Sequence, residues 1–277
     1  MTEAQQSRPL PVPKSRIARF ARLSGMASGI AGGMAAEGAR RWTRGERPEM
    51  RDLLLTPNNI TRLTDELARM RGAAMKVGQL LSMDAGEMIP PELLAIMARL
   101  RADADYMPPA QLRPILDRNW GPGWLSKFRG FDPRPIAAAS IGQVHRGKLK
   151  DGRDLAIKVQ YHGVRESIDS DISNVGALIR VSGLLPRGFV LSPLLDEAKR
   201  QLRLEADYAR EADGLTRFQD LLGNDTDFRL PGVARDFTTA DILALDFIES
   251  VPIEDVAGLD ASKRNRVMDC MIDLLFR

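Results

Sequence analysis

The sequence predicts an α+β fold, with a helical N-terminal extension followed by an antiparallel sheet and the helices that pack on it. Three observations predict it. Apolar residues recur at steps of three and four from Ile60 through Leu63, Leu67, Met70, Ala74, Val77 and Leu81, which lines one seam of a long helix. Ala137 to Val159 runs through a small-residue turn, two alternating stretches and an Asp151-Gly152 pair, the signature of strands joined by a hairpin. Ser192 to Leu222 then reads as a helix that opens on Ser-Pro and carries Glu205, Asp207 and Glu211.

Composition bounds the rest. With 277 residues, 44% of them apolar, the chain can bury a sizeable core. Cys270 stands alone, so no internal disulfide forms and no zinc-ligand spacing exists, which suits a reducing compartment. His145 and His162 are too few for a histidine-based metal site and read as exposed strand or loop residues. The net charge of +3 is uneven: residues 1–57 hold Lys14 and nine arginines against five acids, leaving −2 for the remainder. Such a basic arm suits an anionic membrane surface, and equally a solvated tail; Phe20 and Trp42 alone, without a nucleic-acid motif, argue against nucleic acid.

In order along the chain, Pro9, Pro11 and Pro13 predict an extended lead. Leu23 to Ala39, with Gly25, Gly29 and Gly33 at fourfold spacing, falls short of the ~20 apolar residues of a membrane span and reads as an interfacial or flexible helix. No secretory signal is expected. The long helix starts near Thr56 or Asn58, either of which can cap it, and sets Lys76 and Gln79 on one face with Gly78 allowing close packing. Pro91 can open a second helix through Leu93, Leu94, Met97 and Leu100. A third helix spans Gln111 to Arg118 and ends in Trp120-Gly121-Pro122-Gly123-Trp124. After the hairpin, Ile168, Ile172, Val175 and Ile179 share one side of a helix from Val164 to Leu185. Two more strands are expected, Phe228 to Asp236 and Asp241 to Ile248, then a Glu249-Pro252 break. A last helix from Asp260 turns Val267, Cys270, Met271, Leu274 and Leu275 to a side that needs a partner.

The chemistry concentrates on the hairpin. Small residues at a strand-to-strand turn let backbone amides approach a polyphosphate, and Lys158 on the next strand can neutralise its charge. Ile157 and Val159 face the opposite way. A carboxylate among Glu205, Asp207 and Glu211 could fix the lysine amine; on a straight helix Asp207 and Glu211 share a face and Glu205 lies nearly opposite Asp207. Solvated acids on a surface helix, and a solvated Lys76, are the alternatives. Asp246-Phe247 is no metal-binding Asp-Phe-Gly, since Ile248 follows.

These motifs together resemble the aarF/UbiB atypical kinase-like family associated with ubiquinone biosynthesis, from about Asn58 to Arg277. Lys76-Val77-Gly78-Gln79 matches its Lys-x-Gly-Gln signature, Ala137 to Val144 its alanine-rich replacement of the kinase glycine loop, and Glu205-Ala206-Asp207 its Glu-x-Asp signature. The resemblance implies a kinase-like N-lobe that binds ATP or ADP with Mg2+. It assigns nucleotide contacts to Ala137, Ala138, Ala139, Ser140, Lys158 and its helix partner Glu211, with Leu245 gating the adenine pocket and Asp246 and Ile248 as backbone hinge contacts. Lys76, in one regulatory motif with Gln79, is implied to reach across to the Glu-x-Asp acids Glu205 and Asp207 and to help close the site to protein substrates. Helical geometry leaves open which acid meets Lys76, because both cannot do so unless the helix distorts.

The resemblance also implies a catalytic-loop Asp and Asn and an Asp-Phe-Gly in a large lobe, and none of these follows Ile248. The expectation is therefore an N-terminal portion with a truncated C-lobe, no catalytic residue of its own, metal ligands in the missing lobe, and little turnover. Four segments result: a basic arm (1–57), the helical extension (58–130), the ATP-binding lobe (131–249), and a hinge with the first helix of an incomplete lobe (250–277). The expected function is the N-terminal part of an ATPase or small-molecule kinase supporting ubiquinone biosynthesis. A non-catalytic module binding nucleotide, isoprenoid lipid or lipid-biosynthesis proteins is the alternative. The expected location is cytoplasmic, with peripheral inner-membrane contact through residues 14–47.

Overall fold

A computed structural model describes residues 32–35, 38–45, 56–84, 96, 106–181, 185, 188–223 and 225–276. The proline lead and most of the expected second helix lie outside the described residues, as does the Leu23–Ala39 stretch apart from helical residues at 32–35 and 38–39. Helices α1 (Pro57–Arg69) and α2 (Arg71–Asp84) come first. Thr56 caps α1: its hydroxyl accepts the N–H of Asn59 at 3.3 Å, and Pro57 occupies a position where an N–H would have no intrahelical partner. The single long helix expected here is two. Met70 leaves helical geometry at φ −98° and ψ 33°, and its N–H closes a tighter turn on Leu67 O at 3.1 Å. The apolar seam survives the break, with Leu67, Met70, Ala74, Val77 and Leu81 all buried.

Helix α3 (Pro109–Trp120) ends where Gly121 and Gly123 adopt φ of 78° and 81°, a region that a Cβ disfavours. The chain turns there into a 3-10 turn at Trp124–Lys127 and then β1 (Phe128–Phe131). Strands β2 (Ala137–Ala138), β3 (Gly142–Leu149), β4 (Asp154–Gln160) and β5 (Ile242–Asp246) complete an antiparallel sheet in the order β1-β3-β4-β5, with β2 alongside β3. Residue alternation along β4 decides what each face does. Leu155, Ile157 and Val159 are fully buried on one side, while Lys158 and Gln160 project to the other. The expected strand at Phe228–Asp236 is a single bridge, Val233 to Leu245. Pro231 has no N–H to give a ladder, and Gly232 gives its own to the Asp246 carboxylate at 3.0 Å.

Helix α4 (Val164–Val181) buries Ile168, Ile172, Val175 and Ile179. The helix expected from Ser192 to Leu222 is again two, α5 (Ser192–Glu205) and α6 (Tyr208–Leu222). Ser192 is already helical rather than the cap; Leu191 holds that position, and the Ser192 hydroxyl accepts from Arg180 at 3.3 Å. A 3-10 segment at Ile253–Gly258 precedes α7 (Ala261–Phe276), on which Met271 and Leu275 are exposed and Val267, Cys270 and Leu274 half-buried. Among the described residues no helix is long and apolar enough to cross a membrane.

The sheet separates two cores. On one face α1, α2, α4, α5 and α6 enclose Leu67, Val77, Ile172, Leu202, Tyr208 and Leu243. On the other, α3 and the turn after it pack Trp120, Trp124 and Phe128 against Phe237, with ring centroids 5.4–5.6 Å apart and mostly edge-to-face. His145, expected to be exposed, is fully buried. The Gln143 side-chain amide pairs with the Met107 backbone and lies 2.9 Å from His145 Nε2, while His145 Nδ1 lies 3.0 Å from Asp132 O. Nε2 therefore accepts and Nδ1–H donates, so the imidazole is neutral, and burial lowers its pKa.

Candidate functional site

The site lies on the face of the sheet that carries Lys158. Its ammonium donates to both Glu211 oxygens at 2.9 Å and sits 4.9 Å from the centroid of the Tyr208 ring. Lys158 is on β4 and Glu211 in the first turn of α6, so one strand and one helix bring the pair together. Burial, more than the neighbouring Glu211, pushes the Tyr208 phenol well above its ordinary range, so it stays neutral.

A second ion pair lies close by in the fold. Lys76 on α2 donates to Glu205 Oε1 at 2.5 Å, and the Ser140 hydroxyl donates to Glu205 Oε2 at 2.9 Å. The last residue of α5 thus ties the helical extension to the alanine turn. That turn is tight: Ala137 and Ala138 pair with Val144 and Gln143, and the Ala139 N–H closes on Gly142 O at 2.9 Å. Gly72, one helical turn before Lys76, lets α2 lie against it; a Cβ there would stand 2.7 Å from Ser140 O. Gln79 is exposed on α2.

The break between α5 and α6 answers which acid meets Lys76. Glu205 does. Asp207 instead caps α6, its carboxylate accepting the Arg210 N–H at 3.1 Å from φ −92° and ψ 86°. The helix breaks between Glu205 and Tyr208, so Glu205 turns to α2 while Glu211 turns to β4.

At the far end of β5, Leu245 is half-buried and opposite Ala156. The Asp246 N–H donates to Gly232 O at 2.9 Å, and Phe247 N–H to Asp154 O at 2.8 Å. Arg146 stacks over the Phe247 ring at 3.9 Å and forks onto Asp154 at 2.7–3.2 Å, holding that carboxyl below the usual range. Arg146 and Phe247 were not legible as a pair, since they are a hundred residues apart. Gln160 gave a usable signal, being two residues beyond Lys158 on the same strand face. Among the described residues no group of three or more acids, histidines or cysteines gathers to hold a metal.

Residues 99–277 match the profile of the ABC1 atypical kinase-like domain. The chain belongs to the ABC1, or aarF/UbiB, atypical kinase-like family. It is similar to the mitochondrial atypical kinase COQ8 of Saccharomyces cerevisiae, 37% identical over 263 residues that make up 95% of this chain and 52% of that protein. It is also similar to mitochondrial COQ8B of Danio rerio, 38% identical over 96% of this chain and 43% of that protein. COQ8B of Rattus norvegicus is 37% identical over 99% and 52%. This member of the family spans about half the length of these relatives. The solved complex of Rv3197 with erythromycin from Mycobacterium tuberculosis aligns with 72% of this chain and 50% of its own, at 30% identity and a TM-score of 0.44.

Proposed function

We propose that this chain is the nucleotide-binding part of an atypical kinase-like enzyme that, when intact, uses ATP as an ATPase or small-molecule kinase supporting ubiquinone biosynthesis. The observation that carries it is the Lys158–Glu211 pair, held between a strand and a helix beside the alanine turn. The donor set fits a nucleotide. Lys158 supplies a cation for phosphate oxygens, Glu211 keeps its amine aimed, and the turn from Ala137 to Ser140 offers backbone without bulk. Because the Asp246 N–H is engaged with Gly232, adenine recognition falls to the Asp246 carbonyl and the Ile248 backbone. The donor set for Mg2+ does not fit in the same way, since no acidic cluster assembles among the described residues.

Within this reading, Glu205 is the latch. It accepts from Lys76 and Ser140 at once, so it holds the alanine turn down against α2 and narrows entry for a protein substrate. The basic arm, residues 14–47, is assigned to contact with an anionic membrane surface, which sedimentation with phosphatidylglycerol vesicles would test. Calorimetric titration of the chain with ATP and ADP tests the main reading. One saturable site per chain is expected; heats of dilution alone would overturn it. Binding without turnover in a protein carrying the whole relatives' length would favour a nucleotide-sensing module over an enzyme.

A further inference from the structure

The α5–α6 break aims two carboxylates at two lysines, so whatever holds the break open sets both pairs. In an unbroken helix the Arg210 N–H would bond to Ala206 O. Here it bonds to the Asp207 carboxylate, and Ala206 O is left without its helical donor. Two side chains from outside the helix replace it. Gln160 Nε2 donates to Ala206 O at 3.0 Å, and Arg165 Nη2 donates to it at 2.5 Å. Arg165 also fixes the amide, its Nε donating to Gln160 Oε1 at 3.1 Å, and ties to Ala240 O just before β5.

Arg165 thus joins α4, the end of β4, the loop into β5 and the helix break through one guanidinium. Only an arginine presents that many donors in one plane. Gln160 is buried and shares its strand face with Lys158, so the same strand carries the lysine and the clasp that orients its partner. We propose that Arg165, acting through Gln160 and the Ala206 carbonyl, is the positioning residue that keeps Glu205 on Lys76 and Glu211 on Lys158 together. The inference rests on the nucleotide reading for its consequence, but its geometry stands apart from it.

The test reads the lysines directly. The whole chain is treated briefly with N-hydroxysuccinimidyl acetate well below its melting temperature, and acylation of Lys76 and Lys158 is followed by peptide mass spectrometry. Lys148 and Lys263, whose side chains are 61% and 70% exposed, serve as internal references. In Arg165→Leu both site lysines should acylate about tenfold faster relative to the references, the factor that loss of one charge-assisted hydrogen bond corresponds to. The dissociation constant for ATP should rise by a similar factor. Arg203→Ala, which removes only the exposed pair with Asp169, should change neither.

A merely structural Arg165 would lower the melting temperature and leave the acylation ratios at the wild-type value, and that result overturns the inference. Should Arg165→Leu fail to fold, Gln160→Met removes one of the two donors and is judged by the same ratios. A chain that binds no ATP yet shows the lysine effect upholds the inference and removes the nucleotide reading. ATP binding with unchanged ratios does the reverse.

Discussion

Two helical glycines should respond to alanine with opposite sign, and the contrast measures how firmly α2 supports the alanine turn. Gly214 is exposed in α6, and a Cβ built on it meets nothing within 4 Å. Gly214→Ala should therefore stabilise the fold by about 0.5–1 kcal/mol, the ordinary gain in helix propensity. Gly72→Ala gains the same propensity but places its Cβ 2.7 Å from Ser140 O and 3.1 Å from Ile141 Cγ2. The nearer atom is backbone, so the turn itself must move. Overpacking of this kind costs about 1–3 kcal/mol, which leaves Gly72→Ala destabilised by about 0–2.5 kcal/mol and apart from Gly214→Ala by about 1–3 kcal/mol. Urea denaturation of both variants, with equal m-values, reads the difference. A Gly72→Ala protein as stabilised as Gly214→Ala would refute the close packing of α2 on the turn.

Other outcomes follow from the same contacts. Lys76→Ala should lower stability by about 1–2 kcal/mol, below the cost of breaking a fully buried pair because the Glu205 carboxylate is about a third exposed and can be hydrated. That cost should largely disappear in a Glu205→Gln background, whereas simple additivity would separate the two residues. Phe128→Ala, which removes a ring touching Trp120, Trp124, Phe131 and Phe237, should cost about 3–5 kcal/mol in the denaturation midpoint analysis. His145 is held neutral, with its pKa lowered by burial, so the unfolded chain binds the extra proton first. Stability should be level above pH 6.5 and fall as the pH drops from the unfolded pKa toward the lower folded one. A His145→Phe protein, compared by denaturation between pH 8 and 5, should lose that component of the slope.

The elements were legible where the signal is local. The seam from Leu67 to Leu81, the Asp151-Gly152 turn and the face carrying Lys158 follow from periodicity and turn chemistry that neighbouring residues supply. Both helix breaks were not. Met70 and Ala206 are good helix formers, and nothing within a turn of Ala206 reveals that Gln160 and Arg165 will take its carbonyl. Knowledge of that contact would have shown that Glu205 and Asp207 part company, with one acid on Lys76 and the other spent as a cap. Likewise the strand expected at Phe228–Asp236 is reduced to one bridge by Pro231 and the Gly232 bond to Asp246. His145 misled for a related reason: its partners, Gln143, Met107 and Asp132, converge only after the sheet and α3 have come together.

In the proposed function Lys158 meets the phosphates of a bound nucleotide while Glu211 holds it in place. Titration of wild-type chain and Lys158→Ala with ATP is the decisive experiment. Because the pair is part-exposed, with Lys158 24% and Glu211 40% accessible, its loss should change folding stability by less than about 1 kcal/mol. The dissociation constant should nevertheless rise by roughly tenfold or more, as loss of a charge-assisted phosphate contact requires. Equal ATP affinity in two equally folded proteins would show that Lys158 does not touch the phosphates.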